Sequence, residues 1–429
     1  MKEAFLHYVW NTRSFDLTAL RTTDGKTVEI LDFGRINEKG GPDFKFAIII
    51  LDGVRWAGNI EMHLLASEWD QHGHSGDPNY ESVILHVVLE EDRPVYMGQR
   101  RLPCIEMRGR IHAGVLASYR KLLEARSWVP CAGHLASVPP MIKHAWLERM
   151  VVARLEAKSA DIRDLLRDTR QDWHEVLYRL ILRAFGFGVN RAAFERLARL
   201  VPYRLIMQYQ TNLIRVEALL FGCAGMLNQI FIDAYPGQLQ QEFFHLMHKH
   251  SLQSMQARAW EWGRVRPANF PTIRIAQLAR LLAGNPDLLQ AVCTASNPRE
   301  LADLFKTEVS PYWQDHGHFD RSGKPGSKRL GQQSVRVVLV NAIIPFLFNY
   351  GRHTGDEVIS ERAVNFMADM KPEINQVTRR WEAAGMPNDT ASDSQGLIHL
   401  KRTYCQHFRC TSCAIGHHLL KQPEQDTHV

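Results

Sequence analysis

The sequence predicts an α+β protein in which a small mixed α/β module precedes a large helical body that ends in a cysteine-rich tail. Short apolar runs separated by Gly/Pro-rich turns dominate residues 1–110, which is typical of strands. Beyond residue 140, apolar residues recur at helical spacing. Three closely spaced cysteines, Cys405, Cys410 and Cys413, then follow near the end of the sequence.

Composition and length fit a soluble protein of more than one domain. The chain has 429 residues, of which 45% are hydrophobic and 23% are charged. No run approaches the roughly 18 apolar residues that a membrane-spanning helix needs, and residues 1–10 lack the apolar stretch of a signal peptide. Seven cysteines cannot all pair with one another. We therefore expect a cytoplasmic protein without a membrane partner, and the sequence leaves its oligomeric state open.

Changes in composition and in the spacing of apolar residues predict the domain boundaries and the positions of helices and strands. We expect an α/β module over 1–110, a linker over 111–140 that carries Cys131, a helical domain over 141–396 and a tail over 397–429. In the module, the pattern predicts a helix over 1–12 and strands over 28–33, 46–51, 54–63 and 82–89. Asp52-Gly53 is typical of a two-residue hairpin turn. Further helices are predicted over 141–168, 172–187, 190–200, 238–250, 272–282 and 334–348, with loops over 315–333 and 386–396.

Charge is distributed unevenly along the chain. Residues 1–110 hold 13 Lys and Arg against 17 Asp and Glu, whereas the remaining residues hold 39 against 29. An acidic module beside a basic remainder suits a carboxylate metal site next to a body that binds a polyanion. Solvated helix faces would produce the same balance.

The predicted hairpin brings three ionisable residues together. Asp43 follows a Gly-Pro turn just before one strand, and strand alternation points Glu61 and His63 of the next strand to the same face. A two-residue turn sets Asp43 opposite Met62, on the other face. A one-residue bulge, for which Gly58 is a suitable place, would bring Asp43 onto the face of Glu61 and His63.

A histidine-rich segment follows this hairpin. His72, His74 and Asp77 lie within it, and Glu61 stands in a strand where an unpaired carboxylate would be costly. Two metal sites are open at this point. Asp43 and Glu61 could hold Mg²⁺ or Mn²⁺ through oxygen ligands, or His63, His72, His74 and Asp77 could hold zinc. His86, inside an apolar strand, reads as a core histidine.

The tail cysteines predict a second metal site. Thiolates at this spacing suit zinc or an iron–sulfur cluster, and three cysteines need one more ligand. Cys131, in a Pro/Gly turn, is the expected fourth ligand, with His407 and His417 as competitors. The other cysteines read as buried structural thiols: Cys104, Cys223 and Cys293.

One cluster in the helical region indicates contact with phosphates. Arg266, Asn269 and Arg274 surround the start of a predicted helix, where backbone N–H groups favour anions. The alternative is that the prolines here start the helix and the arginines pair with acidic neighbours.

The module resembles the PD-(D/E)XK nuclease superfamily, which has a leading helix, a central hairpin, Pro-Asp before one strand and Glu-x-Lys on the next. The matching residues here are Pro42-Asp43 and Glu61-x-His63, with histidine in place of the lysine. The resemblance implies a restriction-endonuclease-like fold in which Asp43 and Glu61 bind a metal ion and His63 positions or deprotonates water. Some nucleases of this superfamily also clamp the domain with four cysteines, one distant and three C-terminal.

Nearly the whole chain also resembles the bacterial family catalogued as domain of unknown function 2851. The motifs that carry this resemblance are Leu-His-Tyr-Val-Trp (6–10), Gly-Pro-Asp-Phe (41–44), Trp-x-Gly-x-Ile-Glu-x-His (56–63), Ser-x-Trp-x-x-His-x-His (67–74), Val-Ile-Leu-His-Val-Val (83–88), Arg-Pro-x-Asn-Phe-Pro (266–271) and the cysteine tail. The resemblance implies one unit and no particular activity.

We therefore hypothesise a metal-dependent nuclease that acts on nucleic acid, with Asp43, Glu61 and His63 as catalytic residues. Two alternatives stay open: a factor that binds nucleic acid or protein through structural metals, and a zinc-dependent hydrolase.

Overall fold

The computed structural model describes residues 1–37, 40–263 and 265–421 and divides into two compact units. The first unit comprises residues 1–146, 380–386 and the described residues from Ile398 onward, and the second comprises 147–379 and 387–397. The sheet and the cysteine tail therefore belong to the same unit. The predicted α+β class is confirmed, because a mixed sheet is followed by a largely helical body.

The first unit is built on a mixed sheet. Its strands are β1 (Val28–Asp32), β2 (Arg35–Ile36), β3 (Phe44–Leu51), β4 (Val54–Leu65), β5 (Val83–Glu90), β6 (Tyr96–Met97), β7 (Arg100–Arg101) and β8 (Cys104–Glu106). The described residues place β1, β3, β4, β5 and β8 side by side in that order, with β2 also paired to β3. Neighbours from β1 to β4 are antiparallel, and β5 is parallel to both β4 and β8. Helices α1 (Glu3–Asn11), α2 (Glu68–Gln71) and α3 (Ala113–Glu124) accompany it.

The central hairpin forms as the sequence predicts. Asp52 and Gly53 both have positive φ, 45° and 80°, as the tight turn of a two-residue hairpin requires. Leu51 pairs with Val54, and the same register continues to the pair Ala47 and Gly58.

A β-bulge then shifts this register by one residue. Beyond the pair of Ala47 with Gly58, the next pair is Phe44 with Ile60, so two residues of β3 face Asn59 alone. The extra residue lies on β3, where Phe46 has φ +65°, and its N–H is covered by the Asn59 side chain at 3.3 Å. The prediction that the bulge lies at Gly58 was therefore wrong. The residue that accommodates the shift is Phe46, which is exposed and lies on the opposite strand.

Gly58 instead permits a close approach between strands. A Cβ at this position would lie 2.5 Å from both Ile84 Cγ2 and the Ser82 carbonyl oxygen. The parallel pairing of β4 with β5 also shifts here, from Asn59 with Val83 to Ile60 with Leu85. Beyond the shift, Glu61 lies beside His86.

Strand β5 is buried over residues 83–88, as expected for a central strand covered on both faces. Helix α1 packs on β4 and buries five residues, including Phe5, Val9 and Trp10. The α1 face that meets the sheet carries the apolar residues whose spacing predicted the helix.

The second unit is mainly helical. The helices that follow α3 are α4 (Pro140–Asp168), α5 (Trp173–Phe185), α6 (Arg191–Leu200), α7 (Tyr203–Tyr209), α8 (Leu213–Cys223), α9 (Ala234–His250), α10 (Pro271–Gly284), α11 (Leu288–Thr294), α12 (Pro298–Asp303), α13 (Tyr312–Asp315), α14 (Gln332–Val338), α15 (Ile344–Thr354), α16 (Glu357–Asp369), α17 (Gln376–Ala383), α18 (Ala391–Thr403) and α19 (Ala414–Lys421). Of these, α19 belongs to the first unit, and α4, α17 and α18 each begin in one unit and end in the other. A π-helical segment, Leu339–Ile343, joins α14 to α15. Two short strands, β9 (His316–His318) and β10 (Arg321–Ser322), form a hairpin.

Within the described residues, one continuous helical stretch is long and apolar enough to span a bilayer. It runs over Gln332–Thr354, but 72% of its most apolar window is buried inside the protein. Burial of this kind is typical of the core helix of a soluble protein, because a lipid-facing helix would leave its apolar surface outward.

Two predicted loops are partly structured. Residues 315–333 contain the β9–β10 hairpin, and 386–396 contains the start of α18. A reciprocal cap explains the second difference: Thr390 Oγ1 accepts from the Asp393 N–H at 3.2 Å, and Asp393 Oδ2 accepts from the Thr390 N–H at 3.0 Å. The Thr-x-x-Asp capping box predicts the start of this helix, whereas the spacing of apolar residues alone does not.

Gly58→Ala should lower the free energy of unfolding by about 1–3 kcal/mol, because the added methyl overlaps Ile84 and a backbone carbonyl. Gly76→Ala is the matched control, since a Cβ there meets nothing within 4 Å. Chemical denaturation of the two variants measures the difference. Equal stabilities would contradict the close packing of β4 on β5.

Candidate metal centre

Four segments of the first unit bring ionisable side chains together at one end of the β3–β4 hairpin. Helix α1 contributes Glu3 and His7, the start of β3 contributes Asp43, and β4 contributes Glu61 and His63. The crossover between β4 and β5 contributes the remaining side chains: His72 and His74. The register shift in β3 creates this meeting, because without it Asp43 would face away from Glu61.

A reciprocal pair of hydrogen bonds fixes the two hairpin carboxylates. The Met62 N–H donates to Asp43 Oδ2 at 3.0 Å, and the Asp43 N–H donates to Glu61 Oε2 at 3.1 Å. Each carboxylate thus uses one oxygen to hold the other strand. The second oxygen of Glu61, Oε1, faces the histidines.

Three histidines form a compact group. One ring nitrogen from each of His63, His72 and His74 lies within 4.8 Å of the other two, and His63 Nε2 is 3.1 Å from His72 Nδ1. Glu61 Oε1 lies 3.3 Å from His74 Nε2 and 3.8 Å from His63 Nε2. Three potential ligand nitrogens therefore converge on one small volume, and Glu61 contacts two of the three histidines.

His86 supports this group from inside the sheet. It is fully buried, and its Nε2 lies 2.8 Å from His63 Nδ1. When the shared proton sits on His63 Nδ1, the lone pair of His63 Nε2 is free and faces His72 and Glu61. A histidine that binds a metal ion through one nitrogen characteristically donates its other N–H to such a partner. His86 is thus more than a core residue.

His63, His74 and His86 are held in the neutral form, which is the form of histidine that binds metal ions. Burial lowers the pKa of His86 to about 3 and that of His63 to about 4, and it also lowers the pKa of His74. Neutral imidazole leaves a nitrogen lone pair available at physiological pH.

Burial also favours the neutral form of Glu61, but for a carboxyl group this raises the pKa. Burial, followed by the charge of Asp43, raises its pKa to about 8, and the hydrogen bond from the Asp43 backbone only partly compensates. The side chain is almost wholly buried, so its carboxylate needs a nearby cation to stay ionised at neutral pH. Neutral imidazoles beside a buried carboxylate fit a cation that completes the group.

A second group lies beside the first. His7 Nε2 is 3.3 Å from Asp43 Oδ2 and 3.4 Å from Glu3 Oε1. Burial alone would lower the pKa of His7, but its hydrogen bonds to Asp43 and Glu3 and their charges outweigh burial and raise the pKa to about 9. His7 therefore carries a positive charge at neutral pH.

Sequence reasoning missed Glu3 and His7 as site residues. They lie four residues apart on α1, so they share one face of the helix. A Glu-x-x-x-His pair in a helix otherwise buried on its apolar side was the signal that could have identified them.

Asp77, also predicted as a ligand, lies outside the group of three histidines. Its Oδ1 accepts from the backbone and side-chain nitrogens of Asn79, at 2.9 and 2.8 Å, and so caps the 3-10 turn Pro78–Tyr80. The turn places the Tyr80 ring against the His74 ring, with centroids 3.8 Å apart. Asp77 orients the segment that presents His74.

The proposed phosphate-binding residues of the second unit have different surroundings. Arg266 and Asn269 are exposed, but Arg274 is 3% exposed and donates to Gln277, Asn269 and Ser334. Its guanidinium also stacks on the Phe187 ring at 4.4 Å. Arg274 therefore holds α10 in place, and the enclosure of its side chain gives the predicted contact with phosphate no support.

The cysteines predicted to bind a second metal all lie in the first unit. Cys131 follows α3, and Cys405, Cys410 and Cys413 lie in the two 3-10 turns before α19. Cys104 and Cys223 are buried, and Cys293 is partly buried.

Residues 3–376 match a family model described as "Protein of unknown function (DUF2851)". No curated protein and no solved structure matches the chain. The likeness to PD-(D/E)XK nucleases therefore stays a prediction from the residues.

Asp43→Asn should lower the pKa of His7 from about 9, because burial remains while a charged partner is lost. A nitrogen NMR titration of the histidine rings in chelator-treated protein measures this pKa. In the wild type, the contact between His7 and Asp43 stabilises the fold fully below the ordinary pKa of 6.5, and this contribution is lost as the pH rises through about 9.

The matched control is Glu81→Gln, which removes an exposed carboxylate from the same unit. A His7 pKa that stays near 9 in Asp43→Asn would show that Asp43 does not hold the proton.

Proposed function

We propose that this chain, which belongs to the DUF2851 family, is a metal-dependent hydrolase that cleaves phosphodiester bonds of nucleic acid. One observation carries the proposal: His63, His72 and His74 converge on one small volume, and Glu61 contacts two of them. The protonated His7 lies beside this group, on the other hairpin carboxylate. The family description names no activity, so the argument rests on the chemistry of these residues.

The ligand set favours zinc over magnesium. Tetrahedral zinc with nitrogen and oxygen ligands at roughly 2.0–2.1 Å places the ligand atoms about 3.3 Å apart. The observed separations are 3.1 Å between His63 and His72, 3.3 Å between His74 and Glu61, and 3.8 Å between His63 and Glu61. Magnesium prefers an octahedron of oxygens, and imidazole suits zinc and related transition metals.

The carboxylate pair predicted to bind Mg²⁺ or Mn²⁺ is divided between the two groups. Asp43 Oδ2 is engaged by His7 and by the Met62 N–H, whereas Glu61 Oε1 faces the histidines. This division supports the zinc reading of the site and assigns Asp43 to the second group.

A bound metal ion and the side chains of Glu61 and His7 would have different roles in the proposed hydrolysis. A divalent ion in this group would act as a Lewis acid that acidifies water and offsets charge on a phosphate. Glu61 either completes the ligand set or accepts a proton from water, because its pKa is placed near neutrality by burial and by Asp43. His7 holds a proton at Nε2 next to Asp43, which suits it to protonate a leaving oxygen.

Phosphodiesters are proposed as substrates for two reasons. The leading helix α1 and the β3–β4 hairpin, with Asp43 before one strand and Glu61 on the next, are the features on which the PD-(D/E)XK resemblance rests. The excess of basic residues beyond residue 110, 39 against 29 acidic, would attract a polyanion. His63 stands where that superfamily has lysine, and here it would serve as a ligand.

His74→Ala should remove one equivalent of divalent metal from the protein, because His74 supplies one nitrogen and also contacts Glu61. Competition with a chromophoric chelator measures the zinc affinity, and loss of one protein ligand should weaken it roughly 10–100-fold or more. His112→Ala, which removes an exposed histidine of the same unit, is the control. Equal affinities in the two variants would place the metal elsewhere.

Cleavage of single- and double-stranded DNA and RNA tests the reaction. Wild-type protein with Zn²⁺ or Mn²⁺ should cleave at least one of these substrates, and Glu61→Gln should abolish cleavage while retaining the fold. His7→Gln should reduce the rate by roughly 10²-fold or more, as expected for loss of a proton donor. Glu81→Gln should leave the rate unchanged, because this carboxylate is exposed.

Metal binding without cleavage of any of the four substrates would contradict the nuclease assignment. That outcome would favour the alternative of a binding factor whose N-terminal metal is structural.

A further inference from the structure

Four cysteines of the first unit share one buried neighbourhood. Cys131 begins a 3-10 turn after α3, and the other three lie in the turns that precede α19. Cys131 and Cys413 are 8% and 7% exposed, and Cys405 and Cys410 are partly buried. All four are free thiols. The four cysteines thus come from two chain segments that are distant in sequence.

The sulfurs are close enough to influence one another electrostatically. Burial raises the pKa of Cys131 to about 12, and the charges of Cys413 and Cys410 add to this effect. For Cys405, burial also acts first, followed by the charges of the other three. The two segments are also in direct contact, because Lys401 Nζ donates to the carbonyl of Trp128, three residues before Cys131.

The tail also provides groups that stabilise thiolate sulfur. The backbone N–H groups of Gly416 and Ile415 and the indole of Trp146 lie near the Cys413 sulfur and oppose the effect of its burial on the pKa. Gly416 has a packing reason as well, since a Cβ there would collide with the Cys410 carbonyl. Hydrogen bonds from N–H to sulfur are a standard feature around metal-bound cysteines.

Two lysines add positive charge near the same sulfurs. Lys401 lies close enough to lower the pKa of Cys405, and Lys2 does so for Cys410, in each case against the larger effect of burial. Lys2 is held in place because its Nζ donates to the His407 carbonyl at 3.2 Å. Four thiolates and their metal carry net negative charge, which these lysines offset.

The spacing of the sulfurs separates the two metals that the sequence left open. A single zinc ion with bonds of about 2.3 Å places its four sulfurs about 3.8 Å apart. Among the residues that the structure describes, no three cysteine sulfurs lie within 4.8 Å of one another. The sulfurs are therefore not drawn together as one zinc ion requires, and this favours the wider ligand spacing of a polynuclear cluster.

We propose that Cys131, Cys405, Cys410 and Cys413 bind an iron–sulfur cluster. His407 and His417 are not needed as ligands, because four thiolates complete the set. His417 Nε2 instead contacts the Thr411 carbonyl, and its ring packs on Tyr8 with centroids 4.9 Å apart.

The cluster would have a defined structural consequence. The 3-10 turn Cys410–Ser412 packs on α1, and α19 packs on α3. Helix α1 carries Glu3 and His7 on its other side. The cluster would thus fix the position of the helix that contributes the second group of the candidate metal centre, and this role does not depend on the proposed hydrolase activity.

Anaerobically purified full-length protein, produced in iron-supplied cells, tests the proposal directly. Iron, zinc and acid-labile sulfide would be measured for the wild type, Cys410→Ser and Cys293→Ser. We expect roughly two or four iron atoms per chain and an equal number of acid-labile sulfide ions. The protein should also have a visible absorption that bleaches on reduction. Cys410→Ser should lose most of the iron, and Cys293→Ser should retain it.

Zinc in the wild type that disappears in Cys410→Ser, with no iron in either protein, would overturn the proposal. Iron without sulfide, or no metal at the cysteines, would overturn it too. Zinc bound by the histidines is separated from this result by His74→Ala, which should leave iron and sulfide unchanged. If Cys410→Ser does not fold, the metal and sulfide content of the wild type decides the question alone.

Discussion

The one-residue bulge in β3 is the constraint on which the candidate metal centre depends. Strand side chains alternate between faces, so a shift of one residue changes which face a side chain occupies. The bulge transfers Asp43 from the register of the hairpin turn to the register that faces Glu61. It also allows each carboxylate to accept a backbone N–H from the neighbouring strand. The position of His7 follows, because its charge is satisfied by Asp43.

The candidate centre also shows why a group of this kind needs its surroundings. A buried carboxylate and several buried imidazoles together cost more than a hydrophobic core of the same volume. Part of that cost is met within the group, through the pairing of His7 with Asp43 and of His63 with His86. The remainder falls on Glu61, whose pKa is raised because no cationic side chain offsets its burial fully. A cation bound as proposed would offset this remainder and stabilise the arrangement.

Local signals in the sequence were enough for the hairpin and for much of the centre. Asp52-Gly53 determines the pairing of the strands, and the periodicity of two places Glu61 and His63 together. The strand that carries the bulge could not be predicted, because an exposed Phe46 with positive φ has no distinctive sequence signature. The burial of Arg274 was equally hidden, since it depends on Phe187, Gln277 and Ser334, which are remote or unremarkable in sequence. Residues that a helix brings to a sheet, such as His7, become visible only when the packing is known.

The first unit is discontinuous, since its sheet comes from the beginning of the chain and its cysteine turns from the end. During synthesis at roughly 5–20 residues per second, the sheet leaves the ribosome well before the tail does. The segment around Cys131 is therefore made well before the tail segment that it contacts, because most of the second unit is translated between them. In this interval the nascent first unit is open to chaperones and to proteases. A chain whose synthesis stops before the tail would lack the 3-10 turn Cys410–Ser412, which packs on helix α1. Such a chain would leave that side of α1 uncovered and open to proteolysis.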